Sequence, residues 1–290
     1  MFGDKRTGAV VCRGCGRLVG RGESACPFCG TRSPSLMGLE PWLRRFGSDF
    51  GFVELVMGAT ILLYLAVAAL DPRGLGALFN PSARSLLVLG ASGPLPVIEL
   101  GRWWTLLSAG WLHGGPLHIF FNLMWIRQLA PVVAEGYGAA RMVVIYVVAS
   151  VVGFLFSTFG SFAMLAASAA GVLPGFLARH LGGLLSVGAS AGIFGLFGAL
   201  IYWGRRGGSS HMSRQVWSWV IFFFVLGFVL SNVDNWAHLG GLAGGWVTAR
   251  ILDPLKPEKA THVALALLLL LATAASLVAS VLVPLPAGLG

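Results

Sequence analysis

The chain has 290 residues, of which 56% are hydrophobic and 11% charged, and it carries a formal net charge of +9. Soluble domains average about 45–50% apolar and about 25% charged residues, so this composition excludes an ordinary soluble protein. It also excludes a disordered chain, which needs low hydrophobicity and a high density of charge. The composition predicts a polytopic helical membrane protein, because helices satisfy their own backbone hydrogen bonds inside a bilayer.

The four cysteines lie near the N-terminus as two Cys-x-x-Cys pairs, each followed by glycine: Cys12 and Cys15, then Cys26 and Cys29. Two such turns present four thiolates to one ion, and zinc prefers a tetrahedral sulfur set of this kind. Two disulfides are the alternative, which a reducing cytoplasm disfavours. The spacing predicts a structural zinc ribbon over residues 1–33, which either binds an unidentified partner or caps the chain, followed by a polar linker over 34–50.

Seven stretches carry few or no charges and are near the length that a bilayer core requires, about 20 residues. We predict that each forms a membrane-spanning helix. The seven predicted spans are Phe52–Leu70, Leu117–Ala134, Met142–Phe162, Val187–Trp203, Val216–Ser231, Trp236–Ala249 and Val263–Val283.

The basic residues predict the orientation of these spans. If the N-terminus is cytoplasmic, sixteen of the twenty Lys and Arg residues fall on the inner side of the membrane and four on the outer side. Inner loops of membrane proteins are enriched in Lys and Arg, so the charge of +9 reflects topology, and no nucleic-acid partner is expected. We expect a multi-pass protein of the cell membrane, in contact with the lipid bilayer, with its N-terminus cytoplasmic and its C-terminus outside.

Polar side chains inside the predicted spans are few, and each is a functional candidate because burying it in lipid is costly. His118 and Asn122 share one face of the second span, Ser190 lies near the start of the fourth, and His238 lies near the start of the sixth. All four fall in the outer half of the bilayer. A histidine that takes the proton of a serine makes it a nucleophile, and the other two side chains can donate hydrogen bonds to a developing oxyanion.

Other interpretations of these residues remain open at this point. A membrane serine often bonds the carbonyl four residues earlier, and a membrane histidine can bind a metal or relay protons. Glycine-rich faces predict close packing of the fourth and sixth spans: Gly188, Gly192, Gly195 and Gly198 run along the fourth, and Gly241 and Gly245 along the sixth. The spans have no His-Glu-x-x-His motif, no midplane carboxylates and no internal repeat, which disfavours a metalloprotease, a transporter or a small-solute channel.

The pattern resembles the rhomboid family of intramembrane serine proteases. The matching segments occur in the family's order: Gly101-Arg-Trp-Trp104, Trp111-Leu-His113, His118-Ile-Phe-Phe-Asn122, Gly188-Ala-Ser190-Ala-Gly192 and Ala237-His238-Leu-Gly-Gly241-Leu-Ala-Gly-Gly245.

The resemblance implies an all-α fold, with a rhomboid six-helix bundle over 51–255 and an additional seventh helix over 256–290. It implies that Ser190 attacks the scissile carbonyl, that His238 acts as base and then acid without an aspartate, and that His118, Asn122 and the Ser190 amide form the oxyanion hole. The implied substrates are transmembrane proteins cut near the outer end of a helix, with no cofactor for catalysis. The segment between the fifth and sixth spans is expected to form part of a lid.

The sequence departs from the family pattern in places. The family's usual Trp-Arg pair is Trp104-Thr105 here, so a basic role in the first outer loop falls to Arg102. The outer segment 162–186 is long and apolar, which predicts an interfacial helix or a re-entrant piece that could shape substrate entry; a loop without such a role is the alternative. The alternative function is a catalytically inactive rhomboid-like protein that binds membrane clients; inactive relatives lose the serine or the histidine, whereas Ser190 and His238 are both present.

Overall fold

A computed structural model describes residues 9–12, 15–20, 23–31, 48–181, 183–207, 210–230 and 233–286, so most of the predicted linker lies outside the described residues. Two strands, β1 (Ala9–Val11) and β2 (Leu18–Gly20), pair antiparallel with Val10 opposite Val19. The helices are α1 (Phe52–Leu70), α2 (Ala83–Leu89), α3 (Thr105–Ser108), α4 (Pro116–Tyr137), α5 (Ala139–Ala169), α6 (Gly175–Leu181), α7 (Ser190–Arg206), α8 (Ser210–Val229), α9 (Asn235–Leu252) and α10 (Ala260–Leu282).

Each of the seven predicted spans corresponds to one of the longer helices, which confirms the all-helical membrane fold. Within the described residues, five helices are long and apolar enough to cross a membrane: α1, α4, α5, α8 and α10. The other two, α7 and α9, are only 17 and 18 residues long and rich in glycine. They pack against each other and against α5, so the site described below lies on the two shortest of the seven helices.

The third predicted span is shorter than the helix that the structure shows. Helix α5 has 31 residues and continues past the predicted end at Phe162 as far as Ala169. The sequence has no helix breaker over this stretch, and the helix ends just before Gly171, whose φ of 73° suits glycine better than other residues. Within the predicted outer segment, a short helix, α6, then follows Pro174.

Glycines let α5, α7 and α9 approach at backbone distance. A Cβ at Gly245 of α9 would overlap the backbone of Gly195 on α7, and one at Gly241 would overlap the carbonyl of Ala191. On α5, a Cβ at Gly153 would lie 2.6 Å from the Ala191 Cβ. Small residues at such positions permit helix contacts that van der Waals packing can stabilise in lipid.

Two of the glycines predicted to face the sixth span pack elsewhere. A Cβ at Gly192 would lie 2.6 Å from the ring of Tyr146 on α5, and one at Gly188 would lie 2.5 Å from Nε2 of His118 on α4. Positions three residues apart in a helix are rotated by about 60° relative to each other, so a run of glycines turns away from any single neighbour. Gly188 also lies before the start of α7, so helical spacing does not predict which way it faces.

Helix α8 packs differently, through large aromatic side chains. The ring of Trp125 on α4 lies 5.2 Å from Trp219 and 5.3 Å from Phe223 on α8. Phe194 of α7 lies 5.5 Å from Phe224 in an edge-to-face contact. Side chains therefore separate the α8 backbone from α7, whereas α9 has backbone contact with α7.

Helix α10 is bound near both of its ends by buried arginines. Arg141, at the start of α5, donates to the carbonyl oxygens of Leu252, the last residue of α9, and of Asp253 and Lys256 between α9 and α10. Near the other end of α10, Arg102 donates to the carbonyl oxygen of Ser280. The side chains of both arginines are almost completely inaccessible to solvent.

Candidate active site and cysteine cluster

Ser190 is the first residue of α7. The segment before it is hydrogen-bonded to residues that lie between α1 and α4. Ser186 exchanges two backbone hydrogen bonds with Ser92, of 3.0 and 2.7 Å. The N–H of Gly188 donates to the carbonyl of Ala109 at 3.0 Å, and Gly188 has a φ of +126°, which L side chains rarely adopt. These bonds fix the direction in which the chain enters α7, and with it the position of Ser190.

His238 lies in the first turn of α9 and is buried, with 7% of its surface exposed. Its ring stacks on Phe194 of α7, with the centroids 4.0 Å apart and the planes at 9°. Phe194 follows Ser190 by four residues and therefore shares its helix face. The imidazole thus lies against the face of α7 that carries Ser190, and a flat aromatic contact sets its orientation.

The nitrogen Nδ1 of His238 is buried and has no hydrogen-bond partner among the described residues. No described carboxylate therefore orients this imidazole, as one does in a Ser-His-Asp triad. The Ser190 hydroxyl has no hydrogen bond to any described residue either. It does not bond the carbonyl of Ser186, which removes the structural alternative considered for this serine.

His118 and Asn122 face the residues just before Ser190. The Nδ1 of His118 accepts a hydrogen bond from the N–H of Gly114 at 3.4 Å. A neutral imidazole that accepts at Nδ1 carries its proton on Nε2, and this Nε2 lies against Gly188. Asn122 donates one amide hydrogen to the carbonyl of His118 at 2.9 Å, which leaves its second hydrogen for another acceptor.

The three helices that carry these residues direct their N-terminal ends at one region. Ser190 and His238 lie in the first turns of α7 and α9, and His118 lies in the first turn of α4. Helix N-termini carry partial positive charge and unpaired backbone N–H groups. A hydroxyl, an imidazole and several donors therefore converge where negative charge would be stabilised, an arrangement suited to nucleophilic acyl transfer.

Sequence reasoning missed two residues that hold this site together. Phe194 supports the His238 ring, and its spacing of four from Ser190 is the signal that could have revealed it. Asp234 is the N-cap of α9, with its carboxylate accepting from the N–H of Ala237 at 2.9 Å. An aspartate just before a helix is a common N-cap, but the sequence gives no sign of its other partners.

The four cysteine sulfurs form a cluster in which all lie within 4.8 Å of one another. The Cys12–Cys29 and Cys15–Cys26 sulfur separations are both 3.7 Å. A disulfide bond is about 2.05 Å long, so neither pair is bonded, whereas sulfurs held about 2.3 Å from a zinc ion in a tetrahedron lie about 3.8 Å apart.

The backbone around the cluster repeats the same turn twice. The N–H of Gly16 donates to Cys12 O at 2.8 Å and that of Gly30 donates to Cys26 O at 2.9 Å, and both glycines have a positive φ. A hydrogen bond with the Thr31 hydroxyl, at 3.1 Å, lowers the pKa of the Cys29 thiol to about 6. The residues present fit a metal ion that prefers thiolate ligands.

The fold and the site together define a multi-pass helical membrane protein in which a serine, two histidines and an asparagine gather at the N-terminal ends of three helices. The family model described as Rhomboid domain matches residues 100–254, which include all four side chains. The chain therefore belongs to the rhomboid family.

Similar proteins are rhomboid proteins of bacteria and plants. The chain is 30% identical over 181 residues to rhomboid protease GluP of Bacillus subtilis (strain 168), covering 60% of this chain and 30% of GluP. It is 29% identical over 151 residues to the putative rhomboid protease YdcA of the same organism, covering 51% and 66% of the two chains. It is 27% identical over 179 residues to RHOMBOID-like protein 4 of Arabidopsis thaliana, covering 60% and 40%. The chain spans less than two thirds of the length of each of these relatives.

Proposed function

We propose that this protein is an intramembrane serine protease in which Ser190 and His238 form the catalytic dyad. The observation that carries this proposal is the stacking of the His238 ring on Phe194, one turn from Ser190 on the same helix face. Membership of the rhomboid family supports the reaction class. GluP, whose name is rhomboid protease, and YdcA, whose name is putative rhomboid protease, support it further.

In the first step, the oxygen of Ser190 attacks the scissile carbonyl carbon while Nε2 of His238 takes the hydroxyl proton. The tetrahedral intermediate collapses, the carbon–nitrogen bond breaks, and His238 gives its proton to the leaving amine. A water molecule then attacks the acyl-enzyme with His238 again as base, which releases the carboxylate product and restores Ser190. The reaction consumes one water and needs no cofactor.

The oxyanion that forms in both steps is stabilised by donors from two helices. His118 supplies Nε2–H, which lies beside Gly188, and Asn122 supplies its second amide hydrogen. The backbone N–H of Ser190 is one of the unpaired donors at the start of α7. Removal of one such donor typically costs about 10²–10³ in turnover.

The substrates we propose are transmembrane proteins cleaved near the outer end of their helix. A helical amide is already hydrogen-bonded, so the substrate must unwind locally before attack.

We also propose a cytoplasmic N-terminus and an outer C-terminus, because this orientation leaves sixteen of the twenty basic residues inside. A membrane-impermeant thiol reagent should then modify the ribbon cysteines of metal-stripped protein only after the cell membrane is permeabilised.

The experiment that tests the protease is cleavage of a single-span substrate by purified protein in liposomes. We expect wild type to release two fragments, and Ser190→Ala and His238→Ala to release none. Matched controls are Ser161→Ala, a buried serine of α5, and His262→Ala at the start of α10; both should retain cleavage. Cleavage by Ser190→Ala would contradict the mechanism. Wild type that retains the substrate uncut would favour the inactive, client-binding alternative.

We further propose that Cys12, Cys15, Cys26 and Cys29 bind one structural zinc ion. The support is the sulfur separations and the two glycine turns. A metal that links two short turns can fold a segment too small to have a hydrophobic core. Elemental analysis of protein purified without chelator should give about one zinc per chain, and about none for Cys12→Ser. Metal-free wild type would contradict this proposal.

A further inference from the structure

The carboxylate of Asp234 connects three parts of the molecule that the proposed dyad depends on. Its Oδ1 accepts from the N–H of Ala237 in the first turn of α9, at 2.9 Å. Its Oδ2 accepts from two hydroxyls, that of Ser157 on α5 and that of Ser186 at 2.5 Å, in the segment leading to α7. One side chain is thus bonded to the histidine helix, to the serine segment and to the helix packed beneath both.

The positions of these partners relate directly to Ser190 and His238. Ser186 precedes Ser190 by four residues, and its own backbone is paired with Ser92. The carbonyl of Asp234 accepts the N–H of His238 at 3.1 Å, so the residue that bonds Ser186 also forms the first helical hydrogen bond to His238. Movement of α9 along or around its axis would break the bond to Ser186. The Asp234 carboxylate therefore sets where His238 lies relative to Ser190.

This carboxylate does not act on the imidazole itself. Both of its oxygens are used by the three donors, and Nδ1 of His238 has no partner among the described residues. A triad aspartate stabilises the charged imidazolium directly. Asp234 instead has hydrogen-bonding geometry that a neutral group of the same shape can reproduce: an asparagine oxygen can accept from Ala237 while its amide donates to the two serine oxygens.

We propose that Asp234 is a positioning residue of the dyad, which fixes the register between α9 and the segment before Ser190. This inference rests on the proposed protease function. It separates two roles of a carboxylate near a catalytic histidine: positioning, which Asn can replace, and charge stabilisation, which Asn cannot. It also assigns a function to Ser157 and Ser186, which are buried polar side chains outside the dyad.

The test is the steady-state kinetics of substrate cleavage in liposomes by the full chain. The concentration of active sites is measured by exhaustive reaction with a fluorophosphonate, which forms a phosphonyl ester on a reactive serine and releases fluoride.

We expect Asp234→Ala to lower kcat by about 10²-fold with KM within about twofold, because small displacements of reacting groups have effects of this size. Asp234→Asn should stay within about threefold of wild type. Ser186→Ala should lower kcat by about tenfold while leaving the N-cap bond to Ala237 in place.

Ser161→Ala is the matched control for the serine variants, since Ser161 is buried on α5 one turn from Ser157. It should leave kcat unchanged. Wild-type kcat in both Asp234→Ala and Ser186→Ala would overturn the positioning role. Equal losses in Asp234→Asn and Asp234→Ala would also overturn it, in favour of charge stabilisation. If wild type neither cleaves substrate nor reacts with the fluorophosphonate, the protease proposal itself fails, which is a different result from either of these.

Discussion

Helices α9 and α10 both pack on α5, but they are held by different means. Helix α9 has glycines where it meets α5 and α7, so that backbones touch, and its fit depends on the absence of side-chain atoms. Helix α10 presents large aliphatic side chains outward and is bound by hydrogen bonds near its two ends, from Arg102 and Arg141. The helix that carries His238 is thus fixed along its length, whereas the seventh helix is fixed at its ends.

This difference indicates which changes the site can tolerate. Where two backbones touch, no side chain can move aside to accept an added methyl group. The helices themselves must shift, which lowers stability. Hydrogen bonds at the ends of a helix can be lost while the remaining packing persists. We therefore expect substitutions in the α7–α9 contact to disrupt the site and substitutions at the ends of α10 to loosen mainly that helix and its connection to α9.

The largest effect is expected for Gly245→Ala, which places a Cβ into the backbone of Gly195. We expect a loss of at least about 3 kcal/mol in the free energy of unfolding and no substrate cleavage. The matched control is Gly58→Ala on α1, where a Cβ has no neighbour within 4 Å and stability should be unchanged or higher. Thermal unfolding in detergent measures both. Equal stability of the two variants would show that the backbone contact does not determine the fit of α9.

A smaller effect is expected for Arg141→Gln. The substitution leaves buried carbonyls of Leu252, Asp253 and Lys256 with fewer donors, at a cost of about 2 kcal/mol. Limited proteolysis should then cut between α9 and α10 faster than in wild type. The fluorophosphonate should still react with Ser190. Arg205→Gln, at an exposed position of α7, is the control. Loss of the reaction at Ser190 with no change in proteolysis would contradict the separation of the two helices.

The smallest effect is expected for Ser280→Ala, which removes the hydrogen bond from Trp104 Nε1 to the Ser280 hydroxyl at 3.1 Å. The cost should be about 1 kcal/mol in unfolding free energy. Ser218→Ala, at an exposed serine of α8, should change stability by less. Substrate cleavage should remain at the wild-type rate in both variants. A loss as large as that of Gly245→Ala would mean that the end of α10 belongs to the same rigid unit as the site.

The sequence predicted well what depends on residues close together in the chain. Apolar runs gave the seven helices, and the two Cys-x-x-Cys pairs gave the sulfur cluster. Of the four polar residues singled out in the spans, Ser190, His238 and His118 each lie in the first turn of a helix. His118 and Asn122 lie beside Gly188, two residues before Ser190. Local patterns are sufficient here because charge is expensive in lipid and each polar residue therefore stands out.

What the sequence did not predict depends on long-range partners or on helix rotation. Arg102 was expected to play a role in the first loop, but its bond to the Ser280 carbonyl joins residues 178 positions apart. Of the four glycines expected to face the sixth span, Gly195 and Gly198 do contact α9, whereas Gly188 and Gly192 face other helices, because spacing alone does not fix which helix each face meets. The three donors to Asp234 come from separate segments, which local patterns cannot bring together.

The most direct test of the central claim is to map the product of a fluorophosphonate reaction on the full-length protein by peptide mass spectrometry. Wild type should carry one phosphonyl group on Ser190, and His238→Ala should carry none, because the base that takes the serine proton is missing. Ser161→Ala should carry the same group as wild type. A modified serine other than Ser190, or a reaction at Ser190 that proceeds equally fast in His238→Ala, would contradict a Ser190–His238 dyad.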